Sequence, residues 1–397
     1  MAAAAQVNEW HSLDDTSGRK RIIGGLTVEV LDKLWQRNAV EERERKSRGK
    51  YYIFNSAELV LELDALIAGH GIRLFLKAPC VGAIREGDRI DAILIEDKSG
   101  RRAIRAGMFI DASGDGDLLR RAGFAAWQNE ILQPVSYQML AAGLNRLEEK
   151  AGRGIWDQVK HRAAEFSYPL ENARPWVNGY PSAGDISNIY SGRLYGVDAS
   201  DADQLTAAVM EGRRRHRAFL DMVRGELGPE VSAVSMAHGL GIRDTWHARC
   251  LHRLTASELL SGEVFPDSIG RGTYPVDVHA PEATFLRYLD GREEVVGHEG
   301  VVEWKRWRDE NAPTPDCYHI PYRSLVPETA ANLLVAGRLL DADREAFGGA
   351  RVMVNMNQTG EAAGVASFLA LKQNCMPRNV DAGELRMELA RGGSLIQ

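Results

Sequence analysis

Three stretches of the chain combine an apolar run with small residues and charged groups, the pattern of a secondary-structure end that can meet a ligand. The first is Phe109-Ile110-Asp111-Ala112-Ser113-Gly114-Asp115-Gly116-Asp117. Open α/β sheets hold ligands at the carboxyl ends of their strands, and glycine lets the backbone approach a ligand closely. The same residues serve equally as a tight strand-to-helix turn with Asp115 or Asp117 as N-cap. The second is Asn332-Leu333-Leu334-Val335-Ala336-Gly337-Arg338-Leu339-Leu340-Asp341, again a buried strand ending at a glycine. The third, Gly348 to Met353 followed by Asn357-Gln358-Thr359-Gly360-Glu361-Ala362-Ala363-Gly364, opens a helix with small residues. Free amides at such a helix start favour an anionic ligand group. Plain helix–sheet packing uses the same small residues.

These segments need elements to position them. Leu26, Val30, Leu31 and Leu34 have helical spacing within Gly24 to Asn38. Asn55 or Ser56 can cap a helix over Ala57 to Ala68, which Gly69 and Gly71 would stop. The mixed-charge run Glu41 to Lys50 reads as a solvated helix end or loop. Strands are expected at Ile72 to Lys77, in a hairpin of Cys80 to Arg85 with Arg89 to Glu96, at Arg102 to Arg105, and at Met108 to Asp111. A short helix follows at Leu118 to Ala122. Residues 125–322 are richer in Trp, Tyr, Pro and His and include a long polar helix over Ala202 to Glu226. The α/β pattern then resumes, with an Ala-rich helix over Gly360 to Lys372. The predicted organisation is a discontinuous unit, residues 1–124 and 323–397, with 125–322 inserted as a substrate domain.

Composition narrows the classes. With 49 Lys+Arg against 55 Asp+Glu the formal net charge is -6, which argues against a nucleic-acid partner. A hydrophobic content of 44% is too high for a disordered chain. Cys80, Cys250, Cys317 and Cys375 form no CxxC pair, so a reduced, cytoplasmic setting is expected rather than a disulfide framework. Met1 to Trp10 lacks the features of a signal peptide, no apolar run is long enough to span a membrane, and no HExxH or Cys/His cluster predicts a metal. The absence of GxSxG leaves a serine hydrolase of the α/β type unsupported.

Taken together, the segments resemble the FAD-dependent oxidoreductase family with the glutathione-reductase-like flavin fold. The similarity rests on Ala112-Ser113-Gly114-Asp115-Gly116-Asp117 and on Asn332 through Gly364. It extends to Gly241-Ile242-Arg243-Asp244-Thr245, Tyr274-Pro275-Val276-Asp277-Val278-His279 and Ile320 through Pro327. The resemblance implies an α/β, Rossmann-like FAD-binding domain with an inserted α+β substrate domain. It implies that the Val81 backbone lies by the adenine and that Gly114 and Asp115 lie near the dinucleotide. Gly337 and Arg338 would approach the ribityl and pyrophosphate region. Asn357 to Gly360 would bring a helix N-terminus to the pyrimidine edge of the flavin, where its dipole stabilises negative charge.

The chain departs from the family pattern in two places. No strand–GxGxxG–helix unit is readable, and Ala2 to Asn8 resembles the stretch that follows that unit, so the flavin domain is expected to be N-terminally incomplete. Arg344 stands where relatives often carry His. The implied activity is hydride transfer between flavin and a small polar, sugar-like or hydroxylated substrate. The alternative is a non-catalytic or partner-dependent subunit of a split flavoprotein. A second chain supplying the missing unit, or a homo-oligomer, is the partner expected besides substrate. Proton handling falls to His247, His279, Tyr322, Arg323 and Arg351, with His319 and Arg243 in similarly matching segments. Arg243 and Arg351 can hold a carboxylate or a hydroxyl-rich substrate, or form salt bridges between domains. Asn8, Trp10 and His11 are candidates to line the flavin site.

Overall fold

A computed structural model describes residues 2–45, 49–144, 154–170, 174–297 and 300–396. Its N-terminal layer is a three-stranded antiparallel sheet. Gly49–Phe54 lies in the middle, with Glu9–Trp10 on one side and Val40–Arg45 on the other. Glu41 to Arg45 is therefore strand, where a solvated helix end or loop was expected. Its side chains are largely solvent-facing, and pairing with the apolar Tyr52, Ile53 and Phe54 decides the conformation. Residues 46–48 of that expected segment lie outside the described residues.

Helix Gly25–Gln36 buries Val30, Leu31 and Leu34 of the expected stripe, but Thr27 takes the buried place at its start and Leu26 is exposed. In helix Ser56–Gly69 the Asn55 side chain accepts from the backbone N–H of Ala57 and Glu58 at 3.0 and 3.3 Å. Cys80–Glu86, Arg89–Asp97 and Gly100–Arg105 form the expected antiparallel meander. Ile72 to Lys77 is not a strand. Ile72, Leu74 and Leu76 are exposed, and no described strand pairs with this stretch.

Phe109–Asp111 and Leu333–Val335 lie side by side as a parallel pair, with Leu333 opposite Phe109 and Val335 opposite Asp111. This pairing brings two distant segments to a common carboxyl end. Behind it runs helix Met353–Gln373, about two turns longer at its start than the Gly360 to Lys372 helix expected from the sequence. Its buried Ala362, Ala363, Ala366 and Leu369 pack into a central core with Leu334, Phe347 and Leu385.

That core also contains Leu254, Ile269, Val276, Tyr318 and Ile320. The expected division between residues 322 and 323 thus runs through one hydrophobic core. A separate core forms earlier, where helix Ala202–Leu227 contributes Phe219, Met222 and Val223 against Met139, Ala141 and Ile189. The latter belong to a four-stranded antiparallel sheet in the order Trp176–Gly179, Ile186–Tyr190, Gln138–Ala142, Ser232–Met236. No helix among the described residues is long and apolar enough to cross a membrane.

Candidate active site

At the end of the parallel pair, Asp111 organises its own turn. One carboxylate oxygen accepts from the N–H and hydroxyl of Ser113 at 3.0 and 2.6 Å. The other accepts from the N–H groups of Leu118 and Leu119 at 3.0 and 2.8 Å. The orphan amides of the short helix Asp117–Arg121 are therefore satisfied by Asp111, and not by Asp115 or Asp117 as a tight turn would have it. Asp115 is left to pair with Arg338 at 2.9 Å and to accept from the Thr245 hydroxyl at 2.7 Å. Gly114 sits at φ 83° under the Arg338 guanidinium, and a Cβ there would collide with it. Gly337 sits at φ 71° with open space where a Cβ would project. Its N–H donates to the Thr359 hydroxyl at 2.9 Å, which ties this strand end to helix Met353–Gln373.

The start of the same helix opens on a cavity of about 560 Å³, lined there by Arg351, Val352 and Met353. Ligand pockets of this size are common. The other walls include Tyr274, Asp277 and His279 from one segment and Arg193 and Arg243 from two others. Glu9, His11 and Arg45 come from the N-terminal layer. Arg45 clamps both Glu9 oxygens at 2.6 and 2.9 Å. Burial alone would raise the Glu9 carboxyl, but that clamp and the nearby His11 hold it below its usual value.

Asp277 is the shared carboxylate. It accepts from the Tyr274 hydroxyl at 2.6 Å, lies 3.4 Å from Nδ1 of His279, and lies 3.4 Å from Nη2 of Arg351. Burial holds His279 well below the ordinary histidine value; Asp277 pulls the other way, while Arg193, Arg243 and Arg351 add to the lowering. At neutral pH the ring is therefore neutral, the form a general base needs, and the same burial makes it a weak one. Burial also pushes Arg243 down to about 9, and the charges of Arg351 and Arg193 act in the same direction.

The residues singled out from the sequence separate into groups. His279 and Arg351 meet at the cavity, together with Arg243 and His11. Gly114, Asp115, Gly337 and Arg338 meet at the strand ends. Asn357 and Gly360 lie in the second turn of their helix and not at its N-terminus, because the helix starts at Met353. Val81 is exposed at a bulge in its strand. Three expected proton handlers do not reach the cavity. His247 is fully buried, with Nε2 3.0 Å from Asp244, Nδ1 3.0 Å from the Leu340 carbonyl, and its ring between Trp127 and Phe347. Tyr322 donates to the Pro377 carbonyl at 2.9 Å, and Arg323 pairs with Asp267 at 3.0 Å. His319 bonds Ser268 at 3.0 Å. Asn8 is bonded to Tyr190 and Asn188, and Trp10 packs on Phe54.

Sequence reasoning missed Arg193, Arg45 and Glu9. Arg193 belongs to no motif, and Glu9 and Arg45 acquire meaning only as partners across a sheet. Tyr274 and Asp277 sat inside a recognised segment, but their 2.6 Å bond depends on the chain bending between them.

Several solved structures resemble the fold at low identity. A flavin-dependent brominase is 10% identical, with 96% of this chain and 74% of that chain covered and a TM-score of 0.38. A geranylgeranyl bacteriochlorophyll reductase-like protein from Thermoplasma acidophilum is 11% identical, with 88% and 63% covered and a TM-score of 0.39. A p-nitrophenol 4-monooxygenase from Pseudomonas putida DLL-E4 is 8% identical, with 98% and 73% covered and a TM-score of 0.38. TM-scores at this level carry no assignment, and the chain spans about two thirds to three quarters of these proteins' length. No curated protein matches the chain. The family comparison is decisive in a way these likenesses are not, because the model for FAD dependent oxidoreductases matches residues 1–389. The chain belongs to that family of oxidoreductase flavoproteins, with FAD as its cofactor.

Proposed function

We propose that the chain oxidises or reduces a small polar organic substrate in the cavity at the start of helix Met353–Gln373. The observation that carries this reading is the reach of that one helix. Thr359 holds the Gly337 strand end, while Val352 and Met353 line a cavity containing a buried histidine, a Tyr–Asp pair and arginines. The local backbone fits a flat dinucleotide cofactor. Gly337, Gly360 and Gly364 each face open space where a Cβ would stand, so nothing at these positions blocks a close approach.

In this reading Gly114, Asp115, Gly337 and Arg338 hold the dinucleotide, Val81 contributes its backbone near the adenine, and Asn357 and Gly360 face the ring system. FAD, when bound, supplies hydride acceptance or donation. The protein supplies position and proton handling. His279 takes or returns the substrate proton, the Thr284 hydroxyl at 3.1 Å orients the ring, Asp277 at 3.4 Å adds its charge, and Tyr274 secures Asp277 through its 2.6 Å bond. Arg351 orients the substrate from the helix start. Hydroxylated, sugar-like substrates match the polar lining of Ser136, Asn178 and the arginines. The substrate unit is the sheet and helix between residues 138 and 236, which carry their own core.

One observation favours a partner. Among the described residues the strand Phe109–Asp111 pairs only with Leu333–Val335, and Ile110, Phe368 and Leu371 are exposed near that edge or on the adjoining helix. Parallel sheets are ordinarily covered on both faces, and open edges recruit strands. We infer that this edge is covered by a second chain that supplies a βαβ unit, or by a contact in a homo-oligomer. The visible absorption of the purified chain tests both ideas. A yellow protein supports autonomous flavin binding. A colourless protein that gains colour with FAD only as an assembly supports completion by a partner. A chain that stays colourless in every assembly and with added FAD sinks the proposed function.

A further inference from the structure

The cavity has more positive charge than its own carboxylates balance. Four arginines line it, Arg45, Arg193, Arg243 and Arg351, against Glu9 and Asp277. Arg45 and Glu9 satisfy each other in a bidentate pair. Asp277 is divided among Tyr274, His279 and Arg351. Arg243 donates to the Pro134 carbonyl at 2.8 Å and is drawn towards Asp277, while Arg193 meets the neutral Tyr195 hydroxyl and not a carboxylate. The Nε atoms of Arg193 and Arg351 are buried with no hydrogen-bond partner, and the Arg351 side chain is only 10% exposed. A buried guanidinium with an orphaned N–H is costly unless an acceptor arrives. Part of the wall is aromatic, where the rings of Trp176 and Tyr190 stack at 4.5 Å and those of His11 and Tyr274 lie at 4.2 Å.

We propose that the substrate carries a carboxylate, gripped by Arg193, Arg243 and Arg351, with its organic body against the aromatic wall. Guanidinium forks match the planar, two-oxygen geometry of a carboxylate. Guanidinium forks bind phosphate as well, but phosphate sites are often completed by backbone amides at a glycine-rich turn, and the cationic groups lining this cavity are side chains. The proposal rests on the functional reading above for the word substrate; the anion site itself stands on the arginines alone. It gives the cavity a direction as well, since a carboxylate fixed beside Arg351 orients the rest of the molecule past His279, which shares the Asp277 carboxylate with that arginine.

Isothermal titration calorimetry of benzoate, benzamide and inorganic phosphate into the purified protein tests this. Benzoate is expected to bind at one site per chain, benzamide at least tenfold more weakly, and phosphate not to displace benzoate. Arg193→Gln is expected to weaken benzoate at least tenfold, with partial recovery in Arg193→Lys. The surface substitution Arg217→Gln is expected to change nothing. Circular dichroism melting of each variant identifies loss of fold, and Arg351→Gln supplies a second probe if Arg193→Gln unfolds. Equal binding of benzoate and benzamide, displacement by phosphate at similar concentration, or wild-type binding in folded Arg193→Gln and Arg351→Gln overturns the proposal. The visible spectrum of the same sample reports flavin separately. Benzoate binding to a protein that stays colourless in every assembly and with added FAD supports the anion site while failing the flavin reading; a yellow protein that ignores benzoate overturns only the carboxylate.

Discussion

His247 and His279 are both buried, and each lies within three residues of an aspartate that it contacts in the fold. They nevertheless occupy opposite kinds of environment. The His247 ring has both nitrogens engaged and aromatic rings packed on it, so there is no room for a ligand. The His279 ring borders a cavity, and its aspartate is shared with a tyrosine and an arginine. The lesson is that a His–Asp pair is neutral evidence. What decides its role is whether the surrounding polar atoms are already satisfied. The same contrast separates the strand-end cluster, where Asp115 matches Arg338, from the cavity, where arginines outnumber available carboxylates.

The comparison breaks first at His247. Its replacement by Ala removes a bond to the Leu340 carbonyl, leaves Oδ1 of the buried Asp244 without its partner while Oδ2 keeps Asn129 and Gln133, and leaves a hole beside Trp127, for an expected loss of about 3 kcal/mol. A urea unfolding midpoint checks this, and a loss under 1 kcal/mol would mean that the ring is not structural. His279→Gln is expected to act the other way, with turnover of flavin reduction down about 10²-fold or more and a smaller stability loss than at His247. Unchanged reduction rates in stopped-flow would remove His279 from the proton path.

Acid sharpens the contrast in a graded way. Burial lowers His216 to about 4 and His279 well below its usual 6.5. In such cases the unfolded chain binds the proton more readily than the folded one. Stability is therefore full above the unfolded value and falls as pH drops from about 6.5 towards the folded value, by up to roughly 1.4 kcal/mol per pH unit for each fully buried histidine. Unfolding curves at pH 7, 6 and 5 should show this decline, and His216→Gln should reduce its slope while His279 and His319, the latter also lowered to about 4, keep the remainder; a flat profile in the native chain contradicts the burial argument. The smallest effect is expected at Arg323→Gln. Its partner Asp267 keeps a bond from the residue 323 backbone N–H at 3.0 Å, so about 1 kcal/mol or less should be lost and substrate turnover should not change. A large kinetic effect would return Arg323 to the site.

Local chemistry was legible where a segment carries its own instructions. The helix Gly25–Gln36, the Asn55 cap and the meander of residues 80–105 follow from spacing, capping and turns. The stretch Glu41 to Arg45 was illegible because its charges outweigh its pairing partner, which lies several residues onward. Ile72 to Lys77 shows the reverse failure, an alternating apolar pattern without a partner strand among the described residues. The helix start at Met353 was misplaced by two turns, since Asn357 and Gly360 looked like an opening while Val352 acts as the cap.

What the sequence determined by itself is the flavoprotein family and the two separate strand ends at Gly114 and Gly337, because each is encoded in contiguous residues; their parallel pairing was decided only in the tertiary structure. Only the tertiary structure decided which histidine faces a cavity and which is sealed. It alone assembled Glu9, Arg45, Arg193, Arg243, Asp277 and Arg351 into one wall. The physical reason is that burial, hydrogen-bond satisfaction and charge balance are properties of a neighbourhood. A residue's neighbourhood in a cavity is drawn from parts of the chain far apart in sequence, and no local pattern records it.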